Sequence, residues 1–159
     1  MKQLALDIGL ATGPSLGNYF AGANEAALQH LRLWVGQGSQ QATRAPVPTY
    51  LWGAPGSGKS HLLKAVASAL REQGASVGWL DPSVHARPEF DERWAAVLLD
   101  DVHLYSTAQQ ALAFNWFVNA TSPGSGAPRW VLAAGSVPPA DLPLRDDLRT
   151  RLGWGHVFQ

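Results

Sequence analysis

Gly53-Ala54-Pro55-Gly56-Ser57-Gly58-Lys59-Ser60 sets two glycines five positions apart and follows the second with a lysine and a serine. Glycines let a backbone curl so that successive N–H groups face one hollow, where they can cradle phosphate oxygens. A lysine at that rim brings a point charge to the outer phosphates, and the hydroxyl beside it can sit on Mg²⁺. The spacing satisfies G-x-x-x-x-G-K-[ST], the phosphate-binding loop pattern, at every required position. Gly53, Pro55, Gly56, Ser57, Gly58, Lys59 and Ser60 are thus candidates to bind ADP or ATP with Mg²⁺. His61 follows directly, within reach of the same nucleotide or packed in the helix behind the loop.

A second constellation lies downstream. Ala95-Ala96-Val97-Leu98-Leu99-Asp100-Asp101 is a near-continuous apolar run ending in two acids. Such a run is what a parallel strand covered on both faces looks like, and ligands of open α/β sheets lie at the carboxyl ends of those strands. Asp100 is placed to hold Mg²⁺, directly or through water, beside Ser60. Asp101 is placed to orient and polarise an attacking water.

The elements needed to position these groups can be read along the chain. Thr49–Trp52 is a short β-prone run behind a Pro-rich loop, and Ser60–Gln73 carries Leu62, Leu63, Val66, Ala67 and Leu70 at helical spacing. Strand, glycine loop and helix in that order aim a helix dipole at the phosphates. Gly74 ends the helix, Val77–Leu80 makes a second strand, and 81–93 is a connection with room for a helical turn. A helix over Thr107–Asn119, a buried strand over Trp130–Ala134, a short charged helix within Leu142–Leu152 and a strand over His156–Phe158 follow. The expected fold is α/β: a three-layer αβα sandwich around a five-stranded parallel sheet. Its crossovers are expected to be right-handed. Upstream, Asn24 caps a predicted helix over Glu25–Val35.

Composition narrows the classes. The chain has 159 residues, 46% of them hydrophobic and 15% charged, which suits one domain with a real core and excludes a disordered protein. It has no cysteine, so neither a disulfide framework nor a thiolate metal site can form. The five histidines show no metal-ligand spacing. No apolar run approaches the roughly 18 residues of a membrane span, and the start lacks a signal-peptide pattern, so a reducing cytoplasm is expected. The formal net charge is zero. Arg145, Arg149 and Arg151 cluster, but Asp141, Asp146 and Asp147 lie among them, which disfavours stand-alone nucleic-acid binding.

The first eight residues stand apart. Leu4, Leu6 and Ile8 alternate, as in an extended segment with one apolar edge, and Ala11–Gly17 is a Gly/Pro/Ser linker. The segment reads either as an edge strand or tail, or as a docking peptide. Gln3-Leu4-Ala5-Leu6-Asp7-Ile8 resembles the Q-L-x-L-x-[LF] peptide with which bacterial proteins bind the replication sliding clamp. Residues 1–15 are accordingly expected to be a flexible clamp-binding tail and 16–159 the nucleotide-binding body.

Taken together, the P-loop, the Leu98-Leu99-Asp100-Asp101 strand end and Leu148-Arg149-Thr150-Arg151-Leu152-Gly153-Trp154-Gly155 resemble the AAA+ ATPases of the DnaA initiator clade. The resemblance spans residues 16–159 and implies a sheet order of 5-1-4-3-2. It makes Tyr19, Phe20 and Asn24 part of an adenine pocket, and it places Arg151 at the arginine that enters a neighbouring subunit's nucleotide site. An arginine suits that role because its planar fork stabilises charge on a transferring phosphoryl group. The alternative for Arg151 is a surface ion pair with Asp146 or Asp147. Two positions depart from the clade: Ser136 stands at sensor 1, where aspartate is common, and Asp101 stands where most AAA+ proteins have glutamate. No residues follow the fifth strand to form the helical lid, so a base subdomain without its lid is expected.

The clamp-like peptide, with no helix-turn-helix domain in this chain, is most similar to the clade's regulatory inactivators of DnaA (the Hda family). That resemblance implies a protein that binds the DNA-loaded clamp and promotes hydrolysis of DnaA-bound ATP, so that a fired origin stays silent. DnaA, the clamp (the beta subunit of DNA polymerase III) and a second copy of the chain are the implied partners, and the chain's own ATPase activity would be weak or partner-dependent. A DnaC/IstB-like helicase loader shares the P-loop and the acidic strand end, but usually carries a basic N-terminal extension that this chain lacks. A P-loop kinase would make Arg151 act within its own site.

Overall fold

The computed structural model describes residues 48–54, 58–122 and 129–159. The tail at Gln3, Leu4, Leu6 and Ile8, the adenine-pocket candidates Tyr19, Phe20 and Asn24, the helix predicted over 25–35, and Pro55, Gly56 and Ser57 lie outside them.

The elements run β1 (Thr49–Trp52), α1 (Lys59–Glu72), β2 (Ser76–Leu80), β3 (Trp94–Leu99), α2 (Thr107–Thr121), β4 (Trp130–Gly135), α3 (Asp146–Leu152) and β5 (His156–Phe158). The five strands form one sheet in the order β2-β3-β4-β1-β5, every pair parallel, as the resemblance implied. Register runs straight across it: Leu98 lies beside Leu132, Leu132 beside Thr49, and Thr49 beside His156.

Why the central strands are apolar throughout is plain from their two faces. One face of the sheet, with Leu51, Leu98, Leu132 and Ala134, packs under α1 through Leu62, Leu63, Val66 and Leu70. The other, with Tyr50, Val97, Leu99, Val131 and Ala133, packs under α2 and α3 through Ala113, Trp116, Phe117, Leu148 and Leu152. Alternate residues of each strand serve opposite cores, and the one buried polar side chain within the described strands, Thr49, has its hydroxyl accept from the Trp130 indole N–H at 3.1 Å. Each fully buried aliphatic or aromatic side chain contributes about 1.5–3 kcal/mol.

Local signals set the element ends. Gly58 precedes α1 with φ 96°, a left-handed conformation that glycine adopts freely, and this lets the loop turn straight into the helix. α2 opens with a capping box, in which Ser106 and Gln109 exchange hydrogen bonds between side chain and backbone. The 81–93 connection contains no helix, contrary to the room the sequence left for one. Asp81 instead closes a turn by accepting from the Ser83 N–H at 2.7 Å, while Val84 N–H donates to the Asp81 carbonyl at 3.0 Å. The buried Gln109 amide then donates to the carbonyls of Pro82 (3.1 Å) and Val84 (2.9 Å), fixing the turn against α2.

Candidate nucleotide site at the carboxyl end of the sheet

Lys59 is the first residue of α1, and its ammonium folds back toward the end of β1 to donate to the Gly53 carbonyl at 2.7 Å and the Ala54 carbonyl at 3.0 Å. Partial burial lowers its pKa, while the carboxylates of Asp101 and Asp100 pull the other way. Gly53 prolongs the β1–β4 pairing by donating its N–H to the Gly135 carbonyl at 3.3 Å, which anchors the start of the loop to β4. Ser60 comes next on α1, and its hydroxyl hydrogen-bonds the Asp100 carboxylate.

Asp100 directly follows the last residue of β3 and is buried. Desolvation raises its pKa; the Ser60 hydroxyl and the Asp101 N–H (3.0 Å) oppose that rise, and the Asp101 and Asp81 carboxylates add to it. Asp101 itself is a non-glycine residue at positive φ, 51°. That left-handed residue turns the chain sharply off β3 into a short 3-10 turn at Val102–Leu104. The turn is tied to both neighbouring strands. Toward β2, the Leu80 carbonyl accepts from both the Asp100 N–H and the Tyr105 hydroxyl, each at 2.9 Å. Toward β4, His103 Nδ1 accepts from the Ser136 N–H at 3.2 Å.

Lys59, Ser60, Asp100 and Asp101 are therefore gathered at one rim, and Gly53, Gly58 and the half-buried His61 flank them. Arg151 is not among them. It lies on α3, in the layer opposite α1, with its guanidinium over the rings of Phe114 (4.8 Å) and Trp154 (5.2 Å) and Nη1 donating to the Asp147 carbonyl at 3.3 Å. Asp146 and Asp147, the alternative ion-pair partners, are paired with Arg149 and Arg145 instead. The Asp81 carboxylate, the Tyr105 hydroxyl and His103 also reach this rim or its supports, and sequence reasoning did not single them out for it. His103 had one available signal, its place two residues after the acid pair.

The donor set suits Mg²⁺. A serine hydroxyl already in contact with a buried carboxylate offers two hard oxygens side by side, the ligand type this cation prefers. Among the described residues no group of three or more His, Cys, Asp or Glu could hold a metal, so phosphate oxygens and water would have to complete the shell. Also among the described residues, no helix is long and apolar enough to cross a membrane.

No protein-family model matches the chain. Solved structures do. The replication initiator DnaA bound to AMPPCP and single-stranded DNA superposes with a TM-score of 0.71 at 21% identity, over 94% of this chain and 50% of that one. Domain III of the Thermotoga maritima initiation protein DnaA gives 0.66 at 19% identity, over 91% and 65% respectively. A Thermotoga maritima RuvB mutant gives 0.56 at 18% identity, over 91% and 47%. The chain thus spans about half to two thirds of the length of these proteins. An all-parallel sheet in the order 2-3-4-1-5, with α1 on one face and α2 and α3 on the other, is the αβα architecture of an AAA+ domain such as DnaA domain III.

Proposed function

We propose that this chain binds ADP or ATP with Mg²⁺ at the carboxyl rim of its sheet and acts as a regulator of replication initiation of the Hda type. The observation that carries the nucleotide reading is the contact between the Ser60 hydroxyl and the Asp100 carboxylate, at the head of the helix that Lys59 begins. When bound, Mg²⁺ would neutralise phosphate charge; Ser60 and Asp100 are the residues that would hold it. Lys59 reaches the outer phosphates by releasing the Gly53 and Ala54 carbonyls. Asp101 orients the water. DnaA bound to AMPPCP shares the fold, which supports a nucleotide at this rim.

In the regulatory part of the reading, Gln3, Leu4, Leu6 and Ile8 engage the sliding clamp, and Arg151 acts on nucleotide held by DnaA. Its support is the likeness of residues 3–8 to clamp-binding peptides and of 148–155 to the clade's arginine-finger segment. The test of the nucleotide reading is a titration with a fluorescent ADP, with Mg²⁺ and then with excess chelator, on the native chain and on Lys59→Ala. Binding that weakens with chelator and falls at least about tenfold in the variant is expected, the size of one lost charge-assisted contact. Equal binding by both proteins, or none by the native chain, would overturn it.

A further inference from the structure

α3 has seven residues, too few for a helix to hold its own shape in water, so its place is set by what it packs against. Leu148 and Leu152 bury its inner side in the core shared with α2. Beyond that core, one stripe of α2 follows the arginine segment from end to end. Gln110 Oε1 accepts the Arg145 N–H at 3.0 Å, just ahead of α3, while its Nε2 donates to the Tyr105 carbonyl at 3.2 Å. One turn along α2, the Phe114 ring lies under two guanidiniums, that of Arg145 at 5.0 Å and that of Arg151 at 4.8 Å. Phe117 then meets the Trp154 ring edge-on, with centroids 6.0 Å apart. Residues 110, 114 and 117 share a helix face, so all three contacts come from one rigid surface.

The two rings at Arg151 are not equivalent. Trp154 belongs to the same segment as the arginine and is exposed, so it moves with Arg151. Phe114 belongs to α2, where Ala113, Trp116 and Phe117 are fully buried against the sheet. Phe114 is thus the ring that fixes the guanidinium relative to the body of the protein. The two arginines differ as well. Arg145 is ion-paired with Asp147 at 2.7 Å, whereas Arg151 makes no ion pair among the described residues. An arginine side chain has several rotatable bonds, and its planar fork serves a phosphoryl group best when its plane is set before the two meet.

We infer that Phe114 is the positioning residue of Arg151: its ring sets the guanidinium plane, so that the side chain meets a phosphoryl group on another molecule already oriented. The inference rests on the reading of Arg151 as an arginine that acts on nucleotide held by DnaA, and it names the residue that prepares it. Half-buried Phe114 can be changed without opening the core. Phe114→Leu keeps apolar bulk in the helix and removes the ring; Phe114→Tyr keeps the ring face.

The contact is tested first in the chain alone, through the NMR signal of the Arg151 Nε–H group, identified by its absence from Arg151→Lys. A proton over a ring face is shifted upfield. Phe114→Leu should move the signal toward that of a free arginine, and Phe114→Tyr should leave it in place. Hydrolysis of DnaA-bound ATP is then followed over a range of chain concentrations. Phe114→Leu should lower the maximal stimulation about fivefold with the half-maximal concentration unchanged, and Phe114→Tyr should match the native chain. An unchanged Nε–H signal or an unchanged maximum in Phe114→Leu would overturn the inference. So would a raised half-maximal concentration, the mark of a loosened surface, or a Phe114→Tyr as impaired as Phe114→Leu. A native chain that gives no stimulation, or an Arg151→Ala that stimulates as well as the native chain, would overturn the Arg151 reading and the inference with it. Those two results come from proteins with Phe114 intact, so the two failures are told apart.

Discussion

A Cβ placed on Gly135 would lie 2.3 Å from the Tyr50 hydroxyl oxygen and 3.1 Å from a methyl carbon of Val102. Tyr50, fully buried on β1, uses that space to reach the Val137 carbonyl, and burial raises its pKa so that it stays a donor. Gly135→Ala should therefore cost about 1–3 kcal/mol through overpacking, and Tyr50→Phe about 1 kcal/mol through the lost hydrogen bond. Because the phenylalanine vacates the clashing position, the double variant should lose less than the sum. Chemical denaturation of the four proteins measures the coupling; strict additivity would show that the two residues do not share the space.

Asp100 trades stability for ligand binding. Its folded-state pKa is raised, first of all by desolvation, above the value it has when unfolded. The native state therefore holds this proton more tightly, so the ionised group destabilises the fold at neutral pH, and the penalty fades as pH falls through the folded pKa. Asp100→Asn keeps an oxygen for the Ser60 hydroxyl and the Asp101 N–H while removing the charge. The variant should melt above the native chain at pH 7, with the gap narrowing toward pH 4, and should bind nucleotide with little response to Mg²⁺. A variant that melts lower at neutral pH, or keeps its Mg²⁺ response, would contradict this account.

The parts of this site that can be read from the sequence are those set by neighbours along the chain. The phosphate loop is a code within eight residues, and Asp100 is marked by the apolar run before it, which only a doubly covered strand can use. The supports are different in kind. Tyr50 meets Val137 across 87 positions and His103 meets Ser136 across 33, contacts that exist only because β1 and β3 both flank β4. The Arg151 environment is similar: Phe114 comes from α2, and nothing around residue 151 in the sequence announces it. The turn at 81–84 mixes both kinds: Asp81 closes it locally onto Ser83 and Val84, and a distant glutamine, Gln109, fixes it against α2.

The clamp reading turns on side chains at the start of the chain. If Gln3, Leu4, Leu6 and Ile8 form an extended docking peptide, the glutamine and the first leucine should be the anchors and the folded body should add little. Gln3→Ala/Leu4→Ala should reduce binding to the purified clamp at least about tenfold, with nucleotide affinity and melting temperature unchanged. A biosensor titration reads the first and fluorescence the other two. Clamp binding that survives the double substitution would move the contact to the folded body.

Arg151 is half-buried between two aromatic rings, and Trp154, one of them, is 58% exposed. Stacking holds the guanidinium plane in place; the nearby Asp147 carboxylate, which feels the Arg151 charge, is ion-paired with Arg145, so among the described residues Arg151 keeps a charge that a phosphate on another molecule could use. Arg151→Ala should cost about 1 kcal/mol of stability through the lost stacking and leave the chain's own ADP affinity unchanged. If Arg151 acts on nucleotide held by DnaA, as proposed, the stimulation of DnaA's ATP hydrolysis by this chain should fall about a hundredfold or more in the variant, because an arginine supplied in trans carries much of the transition-state charge. Arg151→Lys should rescue little, since an ammonium keeps the charge but not the plane that Phe114 and Trp154 hold. Mixing each variant with DnaA loaded with labelled ATP gives the hydrolysis rates. Weaker ADP binding in Arg151→Ala alone would show that the arginine serves its own chain's site, and full rescue by lysine would show that charge alone is sufficient.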